Sequence, residues 1–514
     1  MAETFYVTTP IYYVNDLPHI GHAYTTVAAD VLARYYRYAG RDVFFLTGTD
    51  EHGQKVEKAA QAAGETPQQL ADRVVERFKD LWVTLNISND DFIRTTQERH
   101  TKAAAHFFEV VQKNGDIYLG MYEDWYCTPC ESFWTEQQLV DGKCPDCGRE
   151  VHKLQEESYF FKMSKYQAPL LKYLEENPDF VKPETRYNEL VSFVKGGLRD
   201  LSISRTTFSW GIPVPGNPKH VIYVWFDALL NYITALGYPD DMERFEHYWP
   251  ADVHLIGKDI LRFHAVYWPT FLMAAGLQPP KQVFAHGWWT IEGKKMSKSL
   301  RNVVDPYRLV EVYGVDPFRY FLLREVPFGQ DGDYSDKAMV HRINSDLAND
   351  LGNLLNRSVG MLVKYFDGKL EDPTDLTEAE VEIREMTNAI YEEVAAAFAE
   401  IAFHQALSAI WRLVGRLNKY IDEMAPWQLA KDPEKRGRLM AVMYTIFEGI
   451  RHISQMIYPF MPESAQKIRS QLLLQPIDEA TSRYEEDRAW GQMPLGQAIT
   501  RKPPLFPRIE TKES

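Results

Sequence analysis

A chain of 514 residues is too long for one ordinary hydrophobic core, so two to four domains are expected. Its 45% hydrophobic and 25% charged content is that of a globular protein, which sets aside disordered and fibrous classes. A net charge of −15 argues against a general nucleic-acid binder, although a local basic patch can still hold phosphates on an acidic chain.

In chain order, "TFYVTT" is β-branched and aromatic and reads as a strand. A loop bearing Pro and Asn follows, then Ala23, Val27, Val31, Tyr35 and Tyr38 recur at helical spacing up to Gly40. "VFFLTG" is short and apolar, as a buried parallel strand is. Together these form a βαβ unit, in which ligands sit at the carboxyl ends of the strands. Apolar strands running into Gly-, Asp-, His- and Lys-bearing loops and then helices return in "HVIYVWFDALLNYITALG", "DVHLIGKDILRFHAVYWPTFLMAAG" and "QVFAHGWW". Between these halves, about 115–215, lies an insertion that holds every cysteine. Segments 339–365, 377–399, 401–422 and 437–458 are Ala- and Leu-rich with helical periodicity, and form a separate bundle. The final stretch is Pro-rich and is expected to lie extended on another surface. The N-terminus shows no secretory pattern and no run reaches the roughly 18 apolar residues of a membrane span, so a cytoplasmic location is expected.

"CTPC" and "CPDCG" place Cys127, Cys130, Cys144 and Cys147 in two CxxC hairpins with a short spacer, the spacing of a tetrahedral structural Zn²⁺ site. Two disulfides or a redox pair are the alternatives, disfavoured by the missing secretory signal and by the doubled motif. In "LPHIGHAY", His19 and His22 flank Gly21 at the mouth of the first helix, where unpaired N–H groups and the helix dipole favour phosphate. The plain alternative is that His19 caps the helix and His22 lies on the surface. "GKKMSKSL", residues 293–300, offers Lys295 and Lys298 as counter-charges; no Walker-type GxxxxGK[ST] is present. A Ser/Lys loop and a His-Gly-His helix start can clamp two ends of a triphosphate, provided both α/β halves share one sheet.

"HIGH" after the first strand and "KMSKS" after the last resemble the paired signatures of class I aminoacyl-tRNA synthetases, and "LSISRTTFSWGIPVP" resembles a segment of the same class. "TTPIYYVNDLPHIGH", "FLTGTDEHG", "YVWFDALLNYI", "HLIGKDILRFHAVYWP" and "HGWWTIEGKKMSKSLRN" are similar to the methionyl-tRNA synthetase family, in order and over essentially the whole chain. The resemblance implies that His19, His22, Lys295 and Lys298 are catalytic, and that Gly21, Gly257, Asp259 and Lys298 contact ATP. It implies Asp50 as partner of the substrate ammonium. It further implies a side-chain pocket of Ile11, Tyr13, Trp225, Ala228, Leu229, Tyr232, Ile260, His264 and Trp268, with Tyr13 or His264 able to approach a thioether. In the bundle, Asn353, Arg357 and Trp427 are implied to read the anticodon.

The resulting expectation is an α/β protein: a Rossmann-like parallel-sheet catalytic domain split by a zinc-knuckle insertion, followed by an α-helical anticodon-binding bundle. The expected boundaries are 1–114 and 216–300 for the catalytic halves and 115–215 for the insertion. A linking region spans 301–340, the bundle 341–475 and the tail 476–514. The expected reaction is ATP-dependent ligation of methionine to its tRNA, with one structural Zn²⁺ per chain and Mg²⁺ accompanying ATP. Its partners are ATP, L-methionine and initiator and elongator methionine tRNA, and it acts as a monomer. The rivals are a sister synthetase for Leu, Ile, Val or Cys and a non-catalytic tRNA-binding relative. The branched-chain enzymes are disfavoured by the small insertion, the cysteinyl enzyme because every cysteine is used in the knuckle, and the non-catalytic relative by the intact signatures.

Overall fold

The structure, a computed structural model, describes residues 3–14, 17–291, 293–295 and 304–510. The chain divides into two compact units. One comprises residues 4–29 and 43–288; the other comprises Glu3, 30–42 and the described residues from 289 onward.

The first unit is built on a seven-stranded sheet. Strands β1 (Thr4–Thr8), β2 (Tyr12–Tyr13), β3 (Asp42–Asp50) and β4 (Asp91–Arg94) come from the first half of the chain. The strands Val253–Gly257 and Val283–His286 come from the second, and Val253–Gly257 pairs in parallel with β1, Val7 opposite Val253. Both α/β regions therefore share one sheet, the condition for a joint site. The strand order places β1 centrally, between β3 and Val253–Gly257. Its residues Phe5 to Thr8 are all buried, which accounts for the continuous apolar run instead of alternation. Helix α1 (Ile20–Tyr38) leaves the carboxyl side of this sheet after β1 and β2.

The stretch 115–215 is more entangled with the sheet than an inserted module would be. Its strands Ile117–Cys127, Ser132–Trp134, His152–Phe161 and Leu201–Ser202 form their own antiparallel sheet. Val181–Lys182, however, returns to the central sheet, beside Val283–His286. One core cluster runs from Tyr6 and Leu46 through Phe161 and Val181 to Phe226 and Trp268.

The second unit is helical, with Glu378–Ala399, Phe403–Met424 and Arg436–Ile457 as its long members. Thr377 and Glu380 form a capping box that starts the first of these, and Glu380 also accepts from Arg438 at 2.7 Å. The buried Asp30 carboxylate receives both Arg34 (2.8 Å) and Arg319 (2.7 Å), and Arg319 further donates to Phe460 O and Pro459 O. That shared satisfaction is what lets such charges stay buried. The Pro-rich end of the chain lies without regular structure along this unit, held by reciprocal bonds of 2.9 Å between Asn344 and the Ile509 backbone. No helix among the described residues is long and apolar enough to cross a membrane.

Candidate active site

β2 pairs with the carboxyl end of β3, setting Tyr13 opposite Asp50. Asp50 is only 3% exposed, and its Oδ1 has no hydrogen-bond partner among the described residues. Burial raises its proton affinity, and the neighbouring carboxylates of Asp227 and Glu131 raise it further, while Lys55 opposes them. A buried carboxylate in this condition is stabilised by any cation that reaches it.

Most of the residues expected to form the side-chain pocket fall in one core cluster. Trp225, Ala228 and Leu229 share the short helix Val224–Leu229. Ile11, Tyr13 and Ile260 pack as partly buried members against the core containing Trp225, Leu229, Tyr232 and Trp268. The Trp225 ring stacks flat on Phe263 at 3.8 Å, and its Nε1 is buried without a partner among the described residues. His264 sits in a π-helical turn, Phe263–Tyr267, a widened turn of the kind often found at functional sites. Its Nδ1–H donates to Ile260 O at 3.0 Å, so in the neutral ring Nε2 accepts the Tyr232 hydroxyl at 2.7 Å. Burial lowers its pKa to about 4, which keeps the ring neutral. Both ring nitrogens of His264 are thus engaged, and its Nε2 orients the Tyr232 hydroxyl.

Two members were not anticipated. Phe263 supplies the flat surface under Trp225. His254, opposite Thr8 in the sheet, bonds Thr8 Oγ1 at 2.8 Å, accepts from the Trp268 indole at 3.3 Å and lies face to face with Tyr232 at 4.0 Å. A histidine inside the apolar strand "VHLIG" was the available signal.

At the start of α1, the two histidine rings stack at 3.8 Å. His19 Nδ1 accepts the Gly21 N–H at 3.1 Å, and His22 Nδ1 accepts the His19 N–H at 3.1 Å. Both rings are thereby held with the proton on Nε2. Burial, and then His19, push the His22 pKa well below the usual histidine range. On this geometry each ring is neutral, with its Nδ1 occupied by a backbone N–H. His19 does cap the helix, but only through its other nitrogen. Gly21 has a specific steric reason: a Cβ there would stand 2.9 Å from His19 Cε1, so glycine lets the His19 ring fold over the helix start.

Gly257 ends its strand directly opposite His286, whose Nε2 meets Thr25 Oγ1 of α1 at 2.6 Å. This link brings "GKD" beside the "HIGH" helix. A Cβ on Gly257 would lie 2.6 Å from Asp259 Oδ1, so the glycine lets Asp259 fold back, where it accepts the Trp288 indole N–H at 3.0 Å. Lys258 lies over the Trp288 ring at 4.3 Å. Lys295 falls in the short strand Lys294–Lys295, paired antiparallel with Trp289–Ile291. Lys298 lies outside the described residues.

The four cysteine sulfurs lie within 4.8 Å of one another, with Cys127–Cys147 at 3.6 Å and Cys130–Cys144 at 3.8 Å. These are no disulfides. Zn–S bonds of about 2.3 Å imply tetrahedral S···S edges of about 3.8 Å, which the donor set fits. Four cysteines leave no open coordination position.

In the helical unit, Asn353 opens the helix Asn353–Phe366 in an exposed position and Arg357 follows one turn later, half-buried. Arg357 donates to Asn418 O at 2.6 Å and pairs with Asp422 at 3.1 Å. Those partners lie in the last turns of Phe403–Met424, and Trp427 comes just beyond, 42% exposed on the turn Pro426–Leu429. The three residues therefore share one neighbourhood.

The family model for class I tRNA synthetases (M) matches residues 5–156 and 150–359, and that for the anticodon-binding domain of tRNA ligase matches 380–499. A methionine–tRNA ligase of Caldanaerobacter subterraneus subsp. tengcongensis is 55% identical, covering 100% of this chain and 80% of the relative. One of Halalkalibacterium halodurans is 54% identical over 99% and 79%. Among solved structures, Mycobacterium tuberculosis methionyl-tRNA synthetase in complex with methionyl-adenylate superposes with a TM-score of 0.95 at 47% identity, over 98% of this chain and 100% of that one.

Proposed function

The chain belongs to the methionine–tRNA ligase family of class I tRNA synthetases, and from that premise we propose that the Asp50 pocket and the His19–His22 pair carry out its first step. The overall reaction activates methionine with ATP to methionyl-adenylate and pyrophosphate, then transfers the methionyl group to the terminal ribose of methionine tRNA.

The observation that carries the assignment is Asp50, a buried carboxylate with an orphaned oxygen at a strand end. The substrate ammonium is the cation that answers it. The thioether side chain then lies among Ile11, Tyr13, Trp225, Ala228, Leu229, Tyr232, Ile260 and Trp268, apolar and aromatic walls that suit a polarizable sulfur.

The substrate carboxylate is already ionised near neutral pH, so its attack on the α-phosphorus requires no general base. Acceleration must come from alignment and from stabilising the charge that builds on the phosphate oxygens. The Nε2–H groups of His19 and His22 are assigned to the α-phosphate. As neutral donors fixed by the backbone, they need no reorganisation when charge develops. Gly257 and Asp259 are assigned to the nucleotide, and Lys295 and Lys298 to the β- and γ-phosphates, on the chemistry of their motif. Mg²⁺ is assigned to the triphosphate. Zn²⁺ on Cys127, Cys130, Cys144 and Cys147 would hold the hairpins closed and supply no reaction step. Asn353, Arg357 and Trp427 are assigned to the anticodon, whose unstacked bases an aromatic face and an amide edge can read. Action as a monomer in the cytoplasm completes the proposal.

The test is amino-acid-dependent exchange of pyrophosphate into ATP, run across the standard amino acids. Methionine alone should support rapid exchange. Equal exchange with leucine or isoleucine would remove the pocket assignment.

A further inference from the structure

Between Trp225 and Ala228 on the pocket helix stands Asp227, fully buried. Its Oδ2 meets His52 Nδ1 at 2.7 Å and its Oδ1 meets His100 Nε2 at 2.7 Å. His100 Nδ1 in turn meets Thr234 Oγ1 at 2.8 Å. The Thr234 hydroxyl's other acceptor, Asn231 O, is a poorer 3.4 Å away. Donation from Thr234 to His100 Nδ1 therefore leaves the proton on Nε2, aimed at Asp227.

Three separate elements meet here: the pocket helix, the helix Glu98–Lys113 and the loop that follows β3. His52 lies two residues beyond Asp50, and its backbone N–H faces the Asp50 carboxylate. The same loop is pinned on its other side, where Trp210 donates its indole N–H to Glu51 O at 2.6 Å and accepts the Gly53 N–H at 3.1 Å. Burial alone would raise the Asp227 pKa, but His52 and His100 more than offset it and bring the group to about 2, so the carboxylate is ionised. Among the charges around Asp50, Asp227 is the largest contributor to its raised proton affinity.

We infer that Asp227 is a positioning residue for the amino-acid substrate, acting through Asp50. Its two histidine bonds set the loop that carries Asp50 against the helix that carries the pocket wall. Its charge keeps Asp50 in need of a cation, which the substrate ammonium satisfies. The inference rests on Asp50 being the ammonium partner. A purely internal buttress would loosen the whole unit instead, without regard to Asp50.

A double-mutant cycle on the full chain separates the two, with methionine affinity measured by isothermal titration up to millimolar ligand. Asp227→Asn should raise the Kd for methionine about tenfold or more, since small misplacements at a reacting centre carry large costs. The KM for ATP in pyrophosphate exchange should move less than twofold. In an Asp50→Asn background the same substitution should change the methionine Kd less than twofold. An equal change in both backgrounds, a matching rise in the KM for ATP, or unchanged methionine affinity overturns the inference. If Asp50→Asn itself leaves methionine binding intact, the underlying assignment fails and the inference with it. Should Asp227→Asn lose its cooperative thermal transition, His100→Phe removes the donor to Asp227 while keeping the carboxylate. It should raise the methionine Kd severalfold, again only where Asp50 is present, and no effect overturns the inference.

Discussion

Trp427→Ala tests whether recognition of tRNA and activation of methionine are carried by different parts of the chain. The indole is 42% exposed, and a tryptophan presents up to about 250 Å², so roughly 100 Å² of ring is open to a base. At about 25 cal/mol per Å² that surface contributes at most about 2.5 kcal/mol, inside the 1–3 kcal/mol range of one base-stacking platform. At 1.4 kcal/mol per decade, aminoacylation should fall by roughly ten- to a hundredfold. Trp427 belongs to the helical unit and the residues proposed for the methionine pocket to the other, so tRNA-independent pyrophosphate exchange should be unchanged. Both reactions are to be measured on the same preparations, with Arg357→Ala alongside. Equal losses in the two reactions would mean damage to the fold, and undiminished charging would mean that the anticodon is read elsewhere. Either result would refute the reasoning.

Freshly purified protein should contain about one zinc per chain by metal analysis, and Cys144→Ser should release it. Intramolecular disulfides by mass spectrometry would remove the metal assignment. His22→Ala and Lys298→Ala should slow adenylate formation tens- to thousands-fold in single turnovers, with a smaller effect on methionine affinity, because their contacts strengthen as charge moves. Near-normal single-turnover rates would falsify those roles. The pH dependence of stability carries the signature of His264. Its folded pKa, about 4, lies below the unfolded value near 6.5, so its contribution is intact above pH 6.5 and is lost as pH falls toward 4. The loss is on the order of 3 kcal/mol at most, and His264→Gln should flatten the fall of Tm across that window relative to the unmodified chain. Parallel curves would contradict a buried neutral histidine there.

Much of this protein was determined locally and so is legible in the chain. The two CxxC pairs dictate a four-thiolate cluster because ligand spacing is a property of a short hairpin. The apolar run at 43–48, the periodicity from Ala23 to Tyr38 and the long helices after 377 each follow from short-range patterning. "HIGH" was likewise readable, since a His-Gly-His helix start depends on only four residues. What the histidines do with their protons was not, because each Nδ1 is occupied by a backbone N–H that only the folded turn aims at it. The protonation of His264 was hidden for the same reason: its partners, Ile260 O and Tyr232, are set by a π-helical turn and a second helix. His254 and Asp227 stand inside the motifs "HLIGKDILRFHAVYWP" and "YVWFDALLNYI", but nothing in those motifs marks what either side chain meets. Their roles come from partners far along the chain, Thr8 for one and His52 with His100 for the other. The edge strand Val181–Lys182, deep inside the apparent insertion, was hidden because two residues carry no periodicity. The sequence determined which chemical groups are present and the elements they ride on. Only tertiary structure decided which of those groups meet, because hydrogen-bond partners and desolvation are properties of contacts between distant segments.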